Sequence, residues 1–307
     1  MSFLLSPAPH IKDNKSVPGV MCAVMIALLP ATIGGIYFFG LQAAILIALS
    51  VISAVLTEFV MNKMMKREVS IMDGSAALTG LLLALCVSPA LPYYQVVFGS
   101  VFAIIIGKQL FGGLGFNIFN PALVGRAFLA AAFPVHMTTW ANAFAYRGLD
   151  AVTQATPLAA MKFSSQLTPD LLLLYGNIGG CIGETSAILL LLGGLFLLSK
   201  GIINWRIPVS YLGAVALGSI IFGADPIFHL LAGGLLLGAF FMATDYVTSP
   251  ITNKGMWIFG IGAGILVVII RLFSGLPEGV MYSILFMNAF VPLINRYTRP
   301  KIFGRKK

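Results

Sequence analysis

Long apolar runs alternate along the chain with short clusters of glycine, proline and polar residues. Runs of this kind are typical of helices that cross a lipid bilayer, which need roughly 20 apolar residues each. We therefore predict an all-α integral membrane protein with about ten transmembrane helices. The predicted spans lie near residues 18–38, 41–61, 75–89, 92–110, 118–133, 181–199, 207–222, 226–243, 256–273 and 279–295.

The composition agrees with a membrane protein, since 59% of the 307 residues are hydrophobic and 9% are charged. A soluble domain carries about 25% charged residues. The net charge of +9 could indicate nucleic-acid binding, but in so apolar a chain membrane topology explains it better, so we expect no nucleic-acid partner. The segment MSFLLSPAPHIKDNK lacks the basic start, apolar core and cleavage site of a signal peptide, so we expect none.

The basic residues predict the orientation of the spans, because lysine and arginine accumulate on the cytoplasmic side of a membrane. Both termini are then cytoplasmic in a bacterial or archaeal cytoplasmic (inner) membrane, and the loop 134–180 faces outward. One side carries Lys12, Lys15, Lys63, Lys66, Arg67, Lys108, Lys200, Arg206, Lys254, Arg296, Arg299, Lys301, Arg305, Lys306 and Lys307; the other carries Arg147, Lys162 and Arg271.

The outward loop divides the predicted spans into two equal groups. Because each group holds an odd number of spans, the second half must run inverted relative to the first. We therefore divide the chain into an N-terminal membrane half (1–133), an outer loop (134–180), a C-terminal membrane half (181–295) and a basic cytoplasmic tail (296–307).

A polar, proline-containing break interrupts the apolar sequence in each half. Paired breaks at corresponding places in inverted halves predict discontinuous helices that meet near the middle of the membrane. Ordinary turns with asparagine, aspartate or serine caps are the alternative. The first break, GGLGFNIFNPALVGRAF, contains Asn117, Asn120 and Pro121, and the second, MATDYVTSPITNKG, contains Thr244, Asp245, Ser249 and Pro250.

Neither metal nor nicotinamide motifs are evident in the sequence. The cysteines Cys22, Cys86 and Cys181 are far apart and form no CxxC pair, so we expect each to be a small buried hydrophobic residue. The glycines of GGLGFN lie in a membrane segment rather than after a strand, which excludes a dinucleotide-binding interpretation.

The outward loop contains a polar stretch, LDAVTQATPLAAMK, with Thr156 directly before Pro157. Proline biases the preceding residue toward an extended backbone. The residues alone favour a structural role, in which Thr156 caps a helix that begins at Pro157.

Five stretches of the sequence resemble the RnfD/NqrB family, the membrane subunits of ion-pumping electron-transfer complexes. They follow the family's order over most of the chain, and a chain of this length without a long N-terminal extension is more similar to the RnfD branch. The resemblance implies a urea-transporter-like architecture for the two inverted five-helix repeats. The stretches are DGSAALTGLLLAL (73–85), GGLGFNIFNPALVGRAF (112–128), DAVTQATPL (150–158), GNIGGCIGETSA (176–187) and MATDYVTSPIT (242–252).

The resemblance also implies covalent FMN, since the family joins FMN through its phosphate to the last threonine of this motif, here Thr156. A flavin transferase would attach it on the outer side. Gln154 stands where many relatives carry glycine, which alters the turn, and Thr153 is the nearest alternative acceptor. The motif residues around Thr156 are Asp150, Ala155 and Pro157.

A second, noncovalent riboflavin is also implied by the resemblance. The amides of Asn117 and Asn120 match the donors and acceptors on the edge of its ring system, and Phe116 and Phe119 offer ring faces. Turn formation by the same asparagines is the alternative.

Ionisable residues inside predicted spans are functional candidates by default. Arg126 could approach an anionic flavin or a carboxylate, with a structural salt bridge as the alternative. Glu184 and Asp245 are candidates for the ion path, although Glu184 could instead stabilise the start of the sixth span. Glu58 lies within reach of Asn62 on its own helix, which favours a solvated, interfacial position.

Three further expectations concern polar residues near the span ends. We expect His229 to be a satisfied polar group within its span. Lys108 and the basic tail 296–307 are expected to reach anionic lipid headgroups.

Taken with the resemblance, these features predict a flavin-carrying subunit that relays electrons within a ferredoxin:NAD⁺ oxidoreductase moving Na⁺ or H⁺. No catalytic residue is assigned, and the partners would be iron–sulfur, flavin and NAD-binding subunits. A secondary transporter or channel with inverted repeats is the first alternative, and a scaffold without cofactor is the second. A transporter has no need of a reachable hydroxyl in the TQATP loop, and a scaffold would be colourless when purified.

Overall fold

The computed structural model describes residues 16–67, 71–147 and 155–300, and every regular element in these ranges is helical. Three helices are long and apolar enough to cross a membrane by length and composition, namely the first, the second and the thirteenth below. In chain order the helices are α1 (Val17–Phe39), α2 (Leu41–Met64), α3 (Ser75–Leu85), α4 (Tyr93–Ile104), α5 (Pro121–Ala132), α6 (Pro134–Thr138), α7 (Pro157–Ser164), α8 (Asp170–Tyr175), α9 (Ala187–Ser199), α10 (Arg206–Ile221), α11 (Pro226–Leu231), α12 (Leu235–Leu237), α13 (Asn253–Phe273) and α14 (Val280–Thr298).

Several predicted spans are shorter helices with irregular backbone at one end. The predicted spans 118–133 and 181–199 are wrong at their starts, because α5 begins at Pro121 and α9 at Ala187. In both places a polar or glycine-containing segment precedes the helix and leads the chain into the interior.

Two other predicted spans contain a π-helical turn. Residues Ile105–Gln109 follow α4 in this form, and residues Gly238–Met242 follow α12. Such turns shift the direction of the side chains that follow, and they occur frequently at functional sites. Each of these π turns leads directly into one of the two polar breaks.

Besides Ser16 at α1, side chains fix the starts of four helices by accepting hydrogen bonds from first-turn N–H groups. The capping residues are Asn120 for α5, Thr156 for α7, Asp225 for α11 and Thr252 for α13. Proline follows the first three, and this pairing of cap and proline is a strong local start signal.

Glycines allow close packing of the long helices. A β-carbon on Gly193 of α9 would lie 2.1 Å from Ala27 O of α1, and one on Gly260 of α13 would lie 1.9 Å from Ser210 Oγ of α10. Small residues at helix interfaces are typical of membrane proteins, where dispersion contacts drive association. The α1–α9 contact joins the two halves of the chain.

The bundle has two distinguishable ends. The basic end carries the starts of α1, α10 and α13, where Ile251 N donates to Asn295 Oδ1 near the end of α14. The loop end carries the segments 133–147, 155–186 and 274–279, and there Tyr146 Oη donates to Tyr37 O near the end of α1.

The two polar breaks meet in the interior. Asn120 Nδ2 donates to Met242 O at 3.3 Å. With its amide oriented so that both atoms have partners, Asn288 of α14 donates to Thr248 O and accepts from Asn120 N, each at 3.2 Å. The prediction that the breaks occupy corresponding places is wrong, because the first follows the fourth helix of its half and the second follows the third apolar segment of its half.

Candidate functional site

A polar cavity lies where the two breaks meet, near the basic end. It encloses about 50 Å³ and adjoins a groove of about 760 Å³ that shares Met21, Leu114 and Val247 with it. Small-molecule sites typically have volumes of about 300–1,000 Å³, so cavity and groove together are large enough for one. The polar side chains lining the cavity are Ser75, Thr79, Lys108, Asn117, Asn120 and Asp245.

Asn117 has a buried acceptor atom beside this cavity. Its buried side chain donates from Nδ2 to Phe119 O at 3.2 Å, and within the described ranges its Oδ1 has no hydrogen-bond partner. A buried acceptor left without a partner costs about 1–3 kcal/mol. The atom is therefore suited to accept a hydrogen bond from a molecule in the cavity.

The other predicted residues of this region are placed differently. Asn120 is held by its cap to α5 and by Met242 O. Phe116 is 69% exposed, and neither Phe116 nor Phe119 is among the residues that line the cavity. Asp245 lies on the cavity wall, where its Oδ2 accepts from Thr248 Oγ1 at 3.0 Å.

A buried ion pair closes one side of the cavity. Lys108 Nζ lies 2.7 Å from Glu58 Oε1, and the two side chains are 2% and 0% exposed. Lys108 also donates to Ser75 Oγ, and Gln109 Nε2 donates to the same Glu58 oxygen at 3.2 Å. The predictions of a solvated Glu58 and a headgroup-bound Lys108 are wrong, because the π turn after α4 directs Lys108 toward α2.

A second charged cluster lies toward the loop end and joins separate segments. Arg126 Nη2 lies 2.8 Å from Glu278 Oε2, and its Nη1 lies 3.4 Å from Glu184 Oε1. Glu278 Oε1 also accepts from Gly234 N at 2.7 Å, at the start of α12. Arg126 thus adopts the salt-bridge arrangement. Glu184 lies before the start of α9 and contacts Arg126.

Glu278 was not predicted from the sequence. Arg271 was considered only as one of the basic residues that predict membrane orientation. Arg271 is buried and donates to His229 O at 2.5 Å and to Ala232 O at 3.0 Å, which satisfies carbonyls where α11 ends. An arginine after the apolar run ILVVII was a signal that could have been used, whereas Glu278 lies in a short loop with no distinguishing pattern.

His229 was expected to have hydrogen-bond partners for its polar atoms, but among described residues its Nε2 has no partner.

The predicted attachment threonine caps α7 near the loop end. Thr156 Oγ1 accepts from Ala159 N at 3.2 Å, and Thr156 is partly exposed between exposed Ala155 and buried Pro157. The other motif positions, Asp150, Thr153 and Gln154, lie outside the described residues.

Lys162 fixes α7 to the rest of the protein. Its Nζ donates to Arg271 O and Leu276 O, both at 2.8 Å, and to Ile270 O at 3.4 Å. These carbonyls belong to the last turn of α13 and the loop after it. The helix that begins at Thr156 is therefore held beside the segment that carries Glu278.

Two cysteines border the loop-end cluster. Cys181 Sγ donates to Cys86 O at 3.3 Å and lies 3.6 Å from Arg126 Nη2, and both thiols are buried as expected. Cys22 is exposed, contrary to expectation. No group of three or more metal-ligating side chains occurs among the residues that the structure describes.

Comparisons with known proteins agree on one family. The model of the NQR2, RnfD, RnfE family matches residues 4–304. The chain is 50% identical to the D subunit of the Na(+)-translocating ferredoxin:NAD(+) oxidoreductase complex of Acetobacterium woodii, over 100% of this chain and 97% of the relative. It is 48% identical to the D subunit of the proton-translocating ferredoxin:NAD(+) oxidoreductase complex of Clostridium ljungdahlii, over 99% and 97%. With the D subunit of the ion-translocating oxidoreductase complex of Stutzerimonas stutzeri the identity is 43%, over 95% and 93%. The chain therefore belongs to the NQR2, RnfD, RnfE family.

Proposed function

We propose that this membrane-embedded chain is the flavin-carrying subunit that relays electrons within an ion-translocating ferredoxin:NAD⁺ oxidoreductase complex. The support is its near-complete alignment with the D subunits of complexes that carry such names. The relatives named for Na⁺ and for proton translocation have similar identities to this chain, so the translocated ion is proposed to be a monovalent cation, either Na⁺ or H⁺. The other subunits of such a complex would supply and accept the electrons.

The first element of the proposal is FMN esterified through its phosphate to Thr156, attached by a flavin transferase. The fit rests on a partly exposed threonine at the N-cap of α7. A phosphate at a helix N-terminus is favoured by the free N–H groups and by the helix dipole. Bound flavin supplies electron transfer that the side chains of this chain cannot.

The second element is a noncovalent riboflavin in the basic-end cavity and groove. The observation that supports it is the buried Asn117 Oδ1, which can accept a hydrogen bond from a ring N–H. The apolar wall of the groove, which includes Val20, Met21 and Met256, suits a flat ring system. Asn120 would keep the break in shape rather than bind the ring directly.

The third element is the inverted, urea-transporter-like repeat. Matching neighbours support a pairing of α1–α5 with α9, α10, α11–α12, α13 and α14. In the first half α2 packs on α3 and α4, and α4 packs on α5; in the second half α10 packs on α11 and α13, and α13 packs on α14. The pairing matches VSPALP after α3 with VTSPIT before α13. With the basic end in the cytoplasm, the loop end and Thr156 face outward.

The fourth element is the ion path, for which Glu184 and Asp245 are the candidates. They belong to different polar centres, since Glu184 contacts Arg126 and Asp245 lines the basic-end cavity. A secondary transporter without flavin would share such centres, and the attachment threonine distinguishes the two functions.

The test separates the helix cap from the chemistry at Thr156. Thr156→Ser keeps both the alcohol and the cap, whereas Thr156→Asn keeps a good cap but offers no alcohol for an ester. Each variant is expressed in the complex together with its flavin transferase. We expect ultraviolet fluorescence of the denatured subunit for the wild type and Thr156→Ser, and none for Thr156→Asn, with assembly unchanged.

Mass spectrometry of the peptide containing Thr156 gives the second readout. The expected mass increase is that of FMN less one water, because ester formation releases water overall. A wild-type subunit without flavin fluorescence would contradict the proposed attachment. So would a Thr156→Asn subunit whose peptide still carries the flavin mass.

A further inference from the structure

An apolar groove of about 620 Å³ lies between α10 and α13, away from both polar centres. No charged side chain lines it, and Ser210 is the one hydroxyl among the lining residues in the described part of the chain. The residues that define its walls are Gly213, Ala214, Leu217, Ile261, Ile265 and Ile269.

The groove has two structural causes. Helices α10 and α13 pack closely along part of their contact, and α10 has no side chain at Gly213 beside it. Gly264 of α13 lies against α10, where a β-carbon would approach Tyr211 O to 2.8 Å. Gly213 of α10 lines the groove, and a β-carbon there would meet no atom within 4 Å. The missing side chain at Gly213 therefore leaves space beside a closely packed helix pair.

The length of the groove matches one leaflet. Its lining runs from Val209 to Ile221 along α10, a rise of about 18 Å at 1.5 Å per residue. Half of the hydrocarbon core of a bilayer is about 15 Å thick. An acyl chain that enters at the basic end would therefore be accommodated along most of its length.

Aromatic and basic side chains surround the basic end of the groove. Trp257, which lines the groove, packs edge-to-face on Trp205 with ring centroids 5.9 Å apart. The guanidinium of Arg206 lies 5.1 Å from the Trp205 ring. Lys254 lies one turn before Trp257 at the start of α13. Tryptophan is enriched at membrane–water interfaces, so this end lies at headgroup level.

The charges at this end select an anionic headgroup. In the described ranges no carboxylate pairs with Arg206 or Lys254, and Arg206 Nη1 donates to Asn204 Oδ1 at 3.2 Å. Their positive charges are therefore available to a phosphate at the surface. An anionic lipid gains from each nearby basic residue, whereas a zwitterionic lipid gains little.

We propose that this groove is a binding site for one anionic phospholipid, with an acyl chain along Gly213 and Ile265 and the phosphate at Arg206 and Lys254. The site differs from general lipid contact because it combines a slot made by a missing side chain with two basic groups at its mouth.

The experiment measures lipid retention on the assembled complex in detergent by native mass spectrometry, with phosphatidylglycerol and phosphatidylcholine of identical acyl chains as probes. Arg206→Gln combined with Lys254→Gln is expected to lower phosphatidylglycerol retention about thirtyfold. It should leave phosphatidylcholine nearly unchanged. Lys200→Gln removes a charge at the same end but outside the groove, and it should have little effect.

The acyl slot is tested with Gly213→Leu, which adds a side chain to the groove at a position where a β-carbon meets no atom within 4 Å. It should lower retention of both lipids, whereas Ala48→Leu on the exposed face of α2 should not. Equal retention of the two lipids by the wild type would overturn the proposal. So would unchanged binding by Gly213→Leu, or a cross-link from Ile265→Cys to a helix of another subunit.

Discussion

The two buried charged clusters use the same chemistry but join different parts of the molecule. At the basic end, Glu58 and Lys108 pair within the first half of the chain. Toward the loop end, Arg126 of the first half meets Glu184 and Glu278 of the second. The first cluster stabilises the packing of α2 and α4, whereas the second ties α5 to segments that precede α9, α12 and α14.

Breaking the pair at the basic end should therefore have a local effect on stability, and breaking the loop-end cluster a global one. Removing one partner of a buried ion pair strands the other charge in a medium that solvates it poorly. At the basic end the charge that remains lies between α2 and the turn after α4, so we expect the effect to stay within that helix pair. At the loop end, loss of the arginine leaves two carboxylates without their partner and weakens the contacts of several segments at once.

The largest expected effect is that of Arg126→Met. It leaves Glu184 and Glu278 without their shared cation and should cost about 3–5 kcal/mol or more. Thermal stability of the purified subunit, followed by size-exclusion chromatography with fluorescence detection, should fall sharply. Arg126→Lys should be intermediate, because an ammonium cannot contact both carboxylates with a planar fork. If Arg126→Met has the same melting temperature as the wild type, the cluster does not hold the two halves of the chain together.

The next largest effect is that of Lys108→Met, at about 3 kcal/mol. The test of mechanism is the double variant Lys108→Met with Glu58→Gln, which removes both charges. It should recover part of the lost stability, and a double-mutant cycle measures the coupling between the two sites. If the double variant is as unstable as the sum of the singles, the pair is not the source of the stabilisation.

A smaller, local effect is expected for Lys162→Met. The variant loses a cation that contacts three carbonyls in the last turn of α13 and the loop after it, which should weaken the docking of α7 by about 1–2 kcal/mol. Hydrogen exchange of the peptide around residues 157–164 should accelerate while the global melting temperature hardly changes. Lys200→Met is the matched control. Uniform acceleration across the protein would instead assign Lys162 a global role.

The smallest effect on stability is expected for Asn117→Ala, which loses one hydrogen bond worth about 0.5–1.5 kcal/mol. Its main consequence should be the loss of noncovalent flavin, measured as flavin released by acid, with covalent fluorescence of the subunit unchanged. Asn142→Ala, outside the cavity, is the control. Unchanged release of flavin from Asn117→Ala would place the noncovalent flavin elsewhere.

Features that depend on neighbours along the chain could be predicted from the residues themselves. Membrane embedding follows from the apolar runs, and the motifs led to the family that the comparisons show. Thr156 followed by Pro157 predicted the start of α7, because a side chain and the first-turn N–H groups are within a few residues of each other. The same pairing of cap and proline at Asn120 and Pro121 sets the start of α5, although the predicted span began at residue 118.

Which charges meet, and where the helices stop, depends on contacts between distant parts of the chain. Glu58 looked solvated beside Asn62 because sequence spacing reveals neighbours on the same helix, whereas its partner Lys108 lies 50 residues away. Arg126 and Glu278 are 152 residues apart. Their pairing depends on how the glycine-lined helices pack and on how the breaks turn the backbone, and neither follows from local pattern.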